Sequence, residues 1–215
     1  MRVYNDLEVR EYIEMADRST AVIGYTEHGF RHALMVSQTA GYILECLGHP
    51  LEQVECARVA GLMHDIGNML GRVAHGQTGA ALAYPILTRL GFTPYQKALV
   101  LSAIGNHEEQ YGQPLNAICA ALIIADKGDV HRSRVRSFDP SANDIHDNVN
   151  QACIECSLLV DEHIPKVSLE LLIDTSIASV MEYFEIFTER MVISRKAAES
   201  LGASFELVIN HVTLS

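Results

Sequence analysis

The stretch "AGLMHDIGNML", residues 60 to 70, sets His64 and Asp65 side by side directly after an apolar run, where a soluble protein would ordinarily continue its core. Upstream, Val54, Ala57, Ala60 and Met63 recur at helix spacing from about residue 51, with Gly67 near the end. The pattern predicts a buried helix that terminates on two polar side chains. A buried carboxylate without a partner is costly, and at a helix C-terminus it also opposes the dipole. A cation at that point removes both objections.

The same arrangement recurs on either side. From His32, the positions Val36, Ala40, Ile43, Leu44 and Leu47 follow helix spacing until Gly48-His49-Pro50 stops them. A further helix covers roughly 76 to 90 and is closed by Gly91. Another follows Pro94 and carries Ala98, Leu101 and Ile104 up to Gly105. The run "LNAICAALIIAD" is apolar nearly all round, which marks a central buried helix. On this map His32 points inward, His107 follows the apolar face of its helix, and Asp126 closes the most buried helix of all. Each residue alone has an ordinary explanation, as a hydrogen-bonded core histidine or a turn-forming aspartate. Four elements aiming such groups inward together point to a metal. Imidazoles and carboxylates suit iron, manganese, zinc and related divalent ions, and an aspartate with two oxygens can bridge two of them.

Composition bounds the alternatives. A chain of 215 residues with 48% apolar content is long enough for one well-packed domain with a small appendage. No apolar stretch reaches membrane-spanning length, and "MRVYNDLEVREY" lacks a signal peptide's apolar segment, so a cytoplasmic protein with no membrane partner is expected. Five scattered cysteines suit a reducing compartment, and the lone Cys153-x-x-Cys156 pair lacks the second pair of ligands a zinc site needs. The net charge of −11 argues against long nucleic acid. One basic stretch, "DKGDVHRSRVR", gathers Lys127, His131, Arg132, Arg134 and Arg136 directly after Asp126, where a small anion would benefit from them.

The expected fold is mainly α: a helical domain over 1–155 and a small mixed α/β extension over 156–215. In the extension, "SLLVDEHIPKVSLELLIDT" reads as a hairpin or two short strands around a proline. A long helix from about Ile177 to Leu201 and a closing strand in "ASFELVINHVTL" follow. The helix segment "MEYFEIFTERM" carries apolar groups on more than one face, which suits burial against the helical domain or against a second subunit in a homodimer.

The order His32, His64-Asp65, Asp126 resembles the HD-domain metal-dependent phosphohydrolase superfamily. "RHALMVSQTAGYIL" resembles its first histidine helix, "AGLMHDIGN" its defining doublet and "IIADKGD" the segment bearing its last aspartate. The resemblance covers roughly residues 25 to 135 and implies an all-helical bundle with the metal site in its middle. His75 and His107 occupy the places of the extra histidines in dinuclear members. The implied set is His32, His64, Asp65 and Asp126 around one divalent metal, with Asp65 bridging to a second held by His75 and His107. The implied ions are iron or manganese first, then zinc, magnesium, nickel or cobalt. In the cyclic-dinucleotide-cleaving HD-GYP branch, and in the branch that splits symmetrical dinucleoside tetraphosphates, a lysine typically follows the doublet by three residues. This chain has Asn68, and "EEQYGQPLN" only echoes the Gly-Tyr-Pro signature.

The implied activity is hydrolysis of a phosphate ester or anhydride of a small phosphorylated metabolite, a nucleotide foremost, by water activated between two metals. Asp65 and His64 would carry the chemistry, with Arg31, Asn68, Lys127, Arg132 and Arg134 as substrate contacts, since guanidinium groups grip phosphate oxygens in pairs. Glu108 and Glu109 read as a solvated acidic pair or a proton relay, and His28 as a supporting partner or an extra ligand. Two alternatives stand beside this reading: a catalytically silent HD module that binds a ligand or partner, and an HD-type di-iron oxygenase.

Overall fold

A computed structural model describes residues 2–136, 145–161 and 163–214. The chain enters through α1 (Leu7–Val22), which the helix spacing from His32 onward did not single out. Asp6 caps it by accepting from the Val9 amide, and Val9, Ile13, Ala16 and Thr20 form its buried stripe. Helices α2 (Phe30–Cys46), α3 (Leu51–Met63), α4 (His75–Arg89), α5 (Pro94–Gly105) and α6 (Ala117–Lys127) follow close to their expected spans. Helix α5 starts with a reciprocal Thr93–Gln96 capping box and Pro94 in its first turn.

Helix α6 is the axis of the bundle. Every residue from Ile118 to Lys127 is buried, and α2, α3, α5 and the later α8 (Val180–Ser200) pack around it. Each fully buried Leu or Ile there contributes about 1.5–3 kcal/mol by leaving water. Helix α3 ends earlier than the hydrophobic pattern suggests. His64 caps it, Asp65 lies at φ −99°, ψ 0°, and Ile66–Met69 form a single 3-10 turn. The break turns the doublet away from the helix axis and into the bundle. Gly67 in that turn touches α4 so closely that a Cβ would sit 2.0 Å from the carbonyl oxygen of His75.

After α7 (Ile145–Ala152) come β1 (Cys153–Asp161), β2 (Lys166–Ile173), α8 (Val180–Ser200), β3 (Ser204–Ile209) and β4 (Val212–Thr213). The stretch of the expected helical region from 137 to 144 lies outside the described residues. The four-stranded sheet has the order β1-β2-β3-β4; β1 and β2 form the expected antiparallel hairpin, and β3 joins β2 in parallel after the α8 crossover. The expected single closing strand is two strands, because Asn210 and His211 adopt positive φ and reverse the chain. Helix α8 packs on α6, and its Tyr183 and Phe187 share a second core with Leu169, Leu171 and Ile173. The Cys153 and Cys156 thiols donate to the carbonyls of Val130 and Gly128 at 2.9 and 2.8 Å, tying β1 to the loop after α6. Burial pushes the Cys156 thiol up to about 11, so neither a thiolate nor a redox pair is favoured there. No helix among the described residues is long and apolar enough to cross a membrane.

Candidate metal centre

Five helix ends deliver the site. His32 stands in the first turn of α2, His64 and Asp65 at the end of α3, His75 at the start of α4, His107 just past α5, and Asp126 near the end of α6. All six are buried. Main-chain geometry explains how α4 begins where it does: Ala74 takes a left-handed φ of 55°, which swings His75 inward.

Each of four imidazoles has its Nδ1 tied back. His32 Nδ1 lies 2.6 Å from the Asp129 carboxylate, and His64, His75 and His107 place Nδ1 2.8, 3.0 and 2.7 Å from the carbonyls of Gly61, Arg72 and Ile104. A carbonyl only accepts, so those Nδ1 atoms carry the hydrogen and every Nε2 is left with a lone pair. The Nε2 atoms then face each other: His32 to His64 at 3.2 Å, His75 to His107 at 3.1 Å. Two lone pairs at such distances repel unless a positive charge lies between them. Metal–nitrogen bonds of about 2.0–2.1 Å put neighbouring nitrogens on one ion roughly 2.9–3.4 Å apart, so the spacing fits.

Asp65 joins the two histidine pairs. Its Oδ2 lies 3.2 Å from His64 Nε2 and 3.7 Å from His32 Nε2, while its Oδ1 lies 3.2 Å from His75 Nε2 and 3.8 Å from His107 Nε2. Asp126 Oδ1 completes the first group, 3.4 Å from His32 and 3.6 Å from His64. Two overlapping triads, His32–His64–Asp126 and His64–Asp65–His107, each hold their ligand atoms within 4.8 Å of one another. Burial opposes charge on all of them, yet Asp65 and Asp126 outweigh it at His64 and raise that imidazole to about 10. Both carboxyls are in turn held well below the usual range against the cost of burial, Asp65 by His64 and Asp126 by Lys127 and the histidines.

The residues around the six are engaged as follows. Asn68 Nδ2 donates to Asp65 Oδ1 at 2.8 Å, and its Oδ1 accepts from Arg72, so this buried amide orients the carboxylate. Lys127 Nζ sits 2.6 Å from Asp126 Oδ2 and 3.0 Å from Glu109, neutralising Asp126 from behind. Arg31 pairs with Glu27 and Asp129, each at 2.9 Å, on the Nδ1 side of His32, beside a cavity of about 470 Å³. Buried Arg134 donates to the carbonyls of Asp129 and Glu27 and to His28 Nε2. Arg132 acts on Cys153 and Asp174, toward the sheet. Glu108 is no solvated group: it accepts from the Gly76 amide and lies 3.2 Å from His75 Nδ1. Glu109 lies between Lys127 and Arg190; burial works against its charge, but the two cations bring its carboxyl down to about 2. His28 keeps its ring 5.5 Å from that of His32, with Nδ1 bonded to the Thr26 carbonyl and Nε2 taken by Arg134. It supports the centre and offers no lone pair to it.

Two participants escaped sequence reasoning. Asp129 orients His32 and anchors Arg31 and Arg134; its only sequence signal is that it repeats Asp126 three residues later. Arg72 lies 3.2 Å from His75 Nε2 and 3.9 Å from Asp65 Oδ1, with its guanidinium 5.1 Å above the Tyr25 ring. Nothing in the hydrophobic pattern marks it.

Residues 29–134 match the HD domain. The match supports the HD-domain phosphohydrolase superfamily, and the HD segment contains all six inward ligands together with Arg72 and Asp129. The chain is also similar to an uncharacterized protein of Methanocaldococcus jannaschii, 24% identical over 216 residues that cover 88% of this chain and 82% of the other. That alignment is longer than the HD segment, so the likeness takes in part of the chain outside it.

Proposed function

We propose that this chain is a metal-dependent phosphohydrolase of the dinuclear HD type, hydrolysing a phosphate ester or anhydride of a nucleotide or another small phosphorylated metabolite. The observation that carries this reading is the split of Asp65, one oxygen toward His32 and His64 and the other toward His75 and His107. His32, His64, Asp65 and Asp126 would hold one divalent ion, and Asp65, His75 and His107 a second, with iron or manganese favoured by the mixed imidazole and carboxylate donors. Such ions supply an acidified water and neutralise charge on the phosphoryl oxygens.

The chain's own residues set the stage for that chemistry. Asn68 fixes the rotation of Asp65, so both donor groups keep their spacing. Asp129 holds His32 in the tautomer that presents Nε2. Lys127 offsets Asp126, which keeps the buried carboxylates of the first group from repelling one another. In the reaction water adds to phosphorus, the P–O bond to the leaving group breaks, and the departing oxygen takes a proton.

Metal analysis of anaerobically purified protein, joined to a phosphate-release screen, tests the reading. Two ions per chain and phosphate release are expected. Absence of metal under every loading condition would sink it. Bound metal with no turnover across a broad nucleotide panel would favour the silent binding module, and oxygen uptake on adding a polyol or phosphonate would favour the oxygenase.

A further inference from the structure

Beside the ligand cluster opens a cavity of about 300 Å³ whose lining includes Tyr25, Arg72, Arg134, Asp147, Phe187 and Arg190. Three guanidinium groups from distant parts of the chain meet there against one lining carboxylate, in a protein of net charge −11. His28, also in the wall, is kept uncharged by burial and by Arg134. Arg134 is matched by Asp129 and Arg190 by Glu109, while Arg72 has Asp65 only at 3.9 Å, so an anion in the cavity would meet the guanidinium N–H groups of Arg72 and Arg190. Arg134 is held by the carbonyls of Asp129 and Glu27, and the other two guanidiniums are stacked on rings. Arg72 lies over Tyr25 and donates to Asn68, and Arg190 lies 4.6 Å above the Phe187 ring and bonds Glu109 at 3.1 Å. Stacking of this kind holds the planar fork rigid and lowers the entropy lost on gripping phosphate.

Position separates the roles. Arg72 touches both His75 and Asp65, so an anion bound at the second ligand group lies within its reach. Arg190 stands on α8, in the C-terminal extension, and lines the same cavity, but its contacts go to Glu109 and Phe187 and not to the six ligands. The cavity is also small, at the lower end of the ~300–1,000 Å³ range of ligand pockets. Its interior holds one compact molecule, and the second nucleoside of a dinucleotide would lie outside it.

Building on the phosphohydrolase reading, we propose that this cavity seats the substrate, that the substrate is a phosphomonoester no larger than a mononucleotide, and that Arg72 grips the transferred phosphoryl group while Arg190 binds a second polar or anionic part. Arg72 thereby supplies the cationic contact that Asn68 does not, and the C-terminal extension supplies a specificity residue.

The test uses the full, metal-loaded chain. Steady-state phosphate release is measured with mononucleotides, sugar phosphates, a cyclic dinucleotide and a dinucleoside tetraphosphate, and binding of 5′-AMP is measured by calorimetry. Monoesters should exceed both dinucleotides in kcat/KM by about tenfold or more. Arg190→Gln should raise KM and the AMP Kd about tenfold with kcat within about threefold, as expected for loss of one charge-assisted contact. Arg72→Gln should lower kcat about a hundredfold, with partial recovery in Arg72→Lys. The exposed Arg195→Gln on the same helix should change nothing, and thermal unfolding of each variant checks that it folds. A preference for either dinucleotide, or an Arg190→Gln enzyme with unaltered KM and AMP affinity, overturns the proposal while leaving the phosphohydrolase reading standing. AMP binding that Arg190→Gln weakens, without turnover of any compound, keeps the pocket and sinks the hydrolase.

Discussion

The two halves of the candidate centre share a bridging aspartate but are built from unlike materials. The His32–His64 half is rich in anions: Asp65 Oδ2 and Asp126 Oδ1 face it, and Asp129 stands behind His32. The His75–His107 half faces one carboxylate oxygen, with Glu108 behind His75, and the Arg72 guanidinium stands 3.2 Å from His75 Nε2. Coulomb's law therefore favours a cation more in the first half than in the second, where Arg72 offsets part of the attraction. On the proposed dinuclear reading, the first half would keep its ion, and the second would take an ion more readily together with a phosphate, because a dianion in contact with Arg72 offsets its charge.

The bridge offers the most severe way to break this contrast. Asp65→Ala should cost metal in both halves and reduce hydrolysis by a thousandfold or more, read as ion stoichiometry and phosphate release. Single-half variants come next and should separate the halves. Asp126→Asn is expected to empty the first half and, with it, the second, whereas His107→Ala should leave about one ion per chain; equal losses from both would end the asymmetry. A smaller effect is expected from Asp129→Asn, which keeps every ligand but slackens His32. Metal affinity should fall about 10–100-fold, measured by competition with a chromophoric chelator. Smallest is a stability effect at the second half's margin. The Glu109 carboxyl titrates near 2 in the fold against an ordinary value of 4.5. Its contribution is therefore complete above about pH 4.5 and lost as pH falls through about 2. Discounted for partial exposure it amounts to about 1–2 kcal/mol, and Glu109→Gln should flatten the fall in urea stability between pH 6 and pH 3 by somewhat more than half of that amount, the rest being lost below pH 3.

How much of this was legible in the sequence follows from what each residue does locally. Five of the six inward ligands, His32, His64, Asp65, His107 and Asp126, lie at the ends of periodic helices, so periodicity both located the elements and aimed the side chains, whereas His75 was implied only by the family resemblance; the structure brings all six together. Helices α5 and α8 likewise fall close to the starts expected at Pro94 and about Ile177, with Thr93 and Ser179 as their caps. The end of α3 did not, because nothing apolar marks the change from α-helix to a 3-10 turn at Asp65. Asp129 and Arg72 were invisible for another reason. The His32 partner of Asp129 is 97 residues away, and Arg72 itself stands in the short connection between the 3-10 turn and α4, which has no periodicity. The two glutamates after His107 looked like a solvated pair, and only tertiary packing sends one to His75 and the other to Lys127.

The near-contact of Gly67 with the His75 carbonyl has a consequence for how such a centre can change over evolutionary time. The two halves ride on different helices, and the gap between them is set where the 3-10 turn meets α4. A single methyl group at residue 67 would push α4 outward as a unit and carry His75 away from Asp65, with no ligand altered. Selection can trade imidazole for carboxylate at a ligand position and still keep an ion; it has no such freedom at Gly67, where one hydrogen atom acts as the spacer for the whole machine.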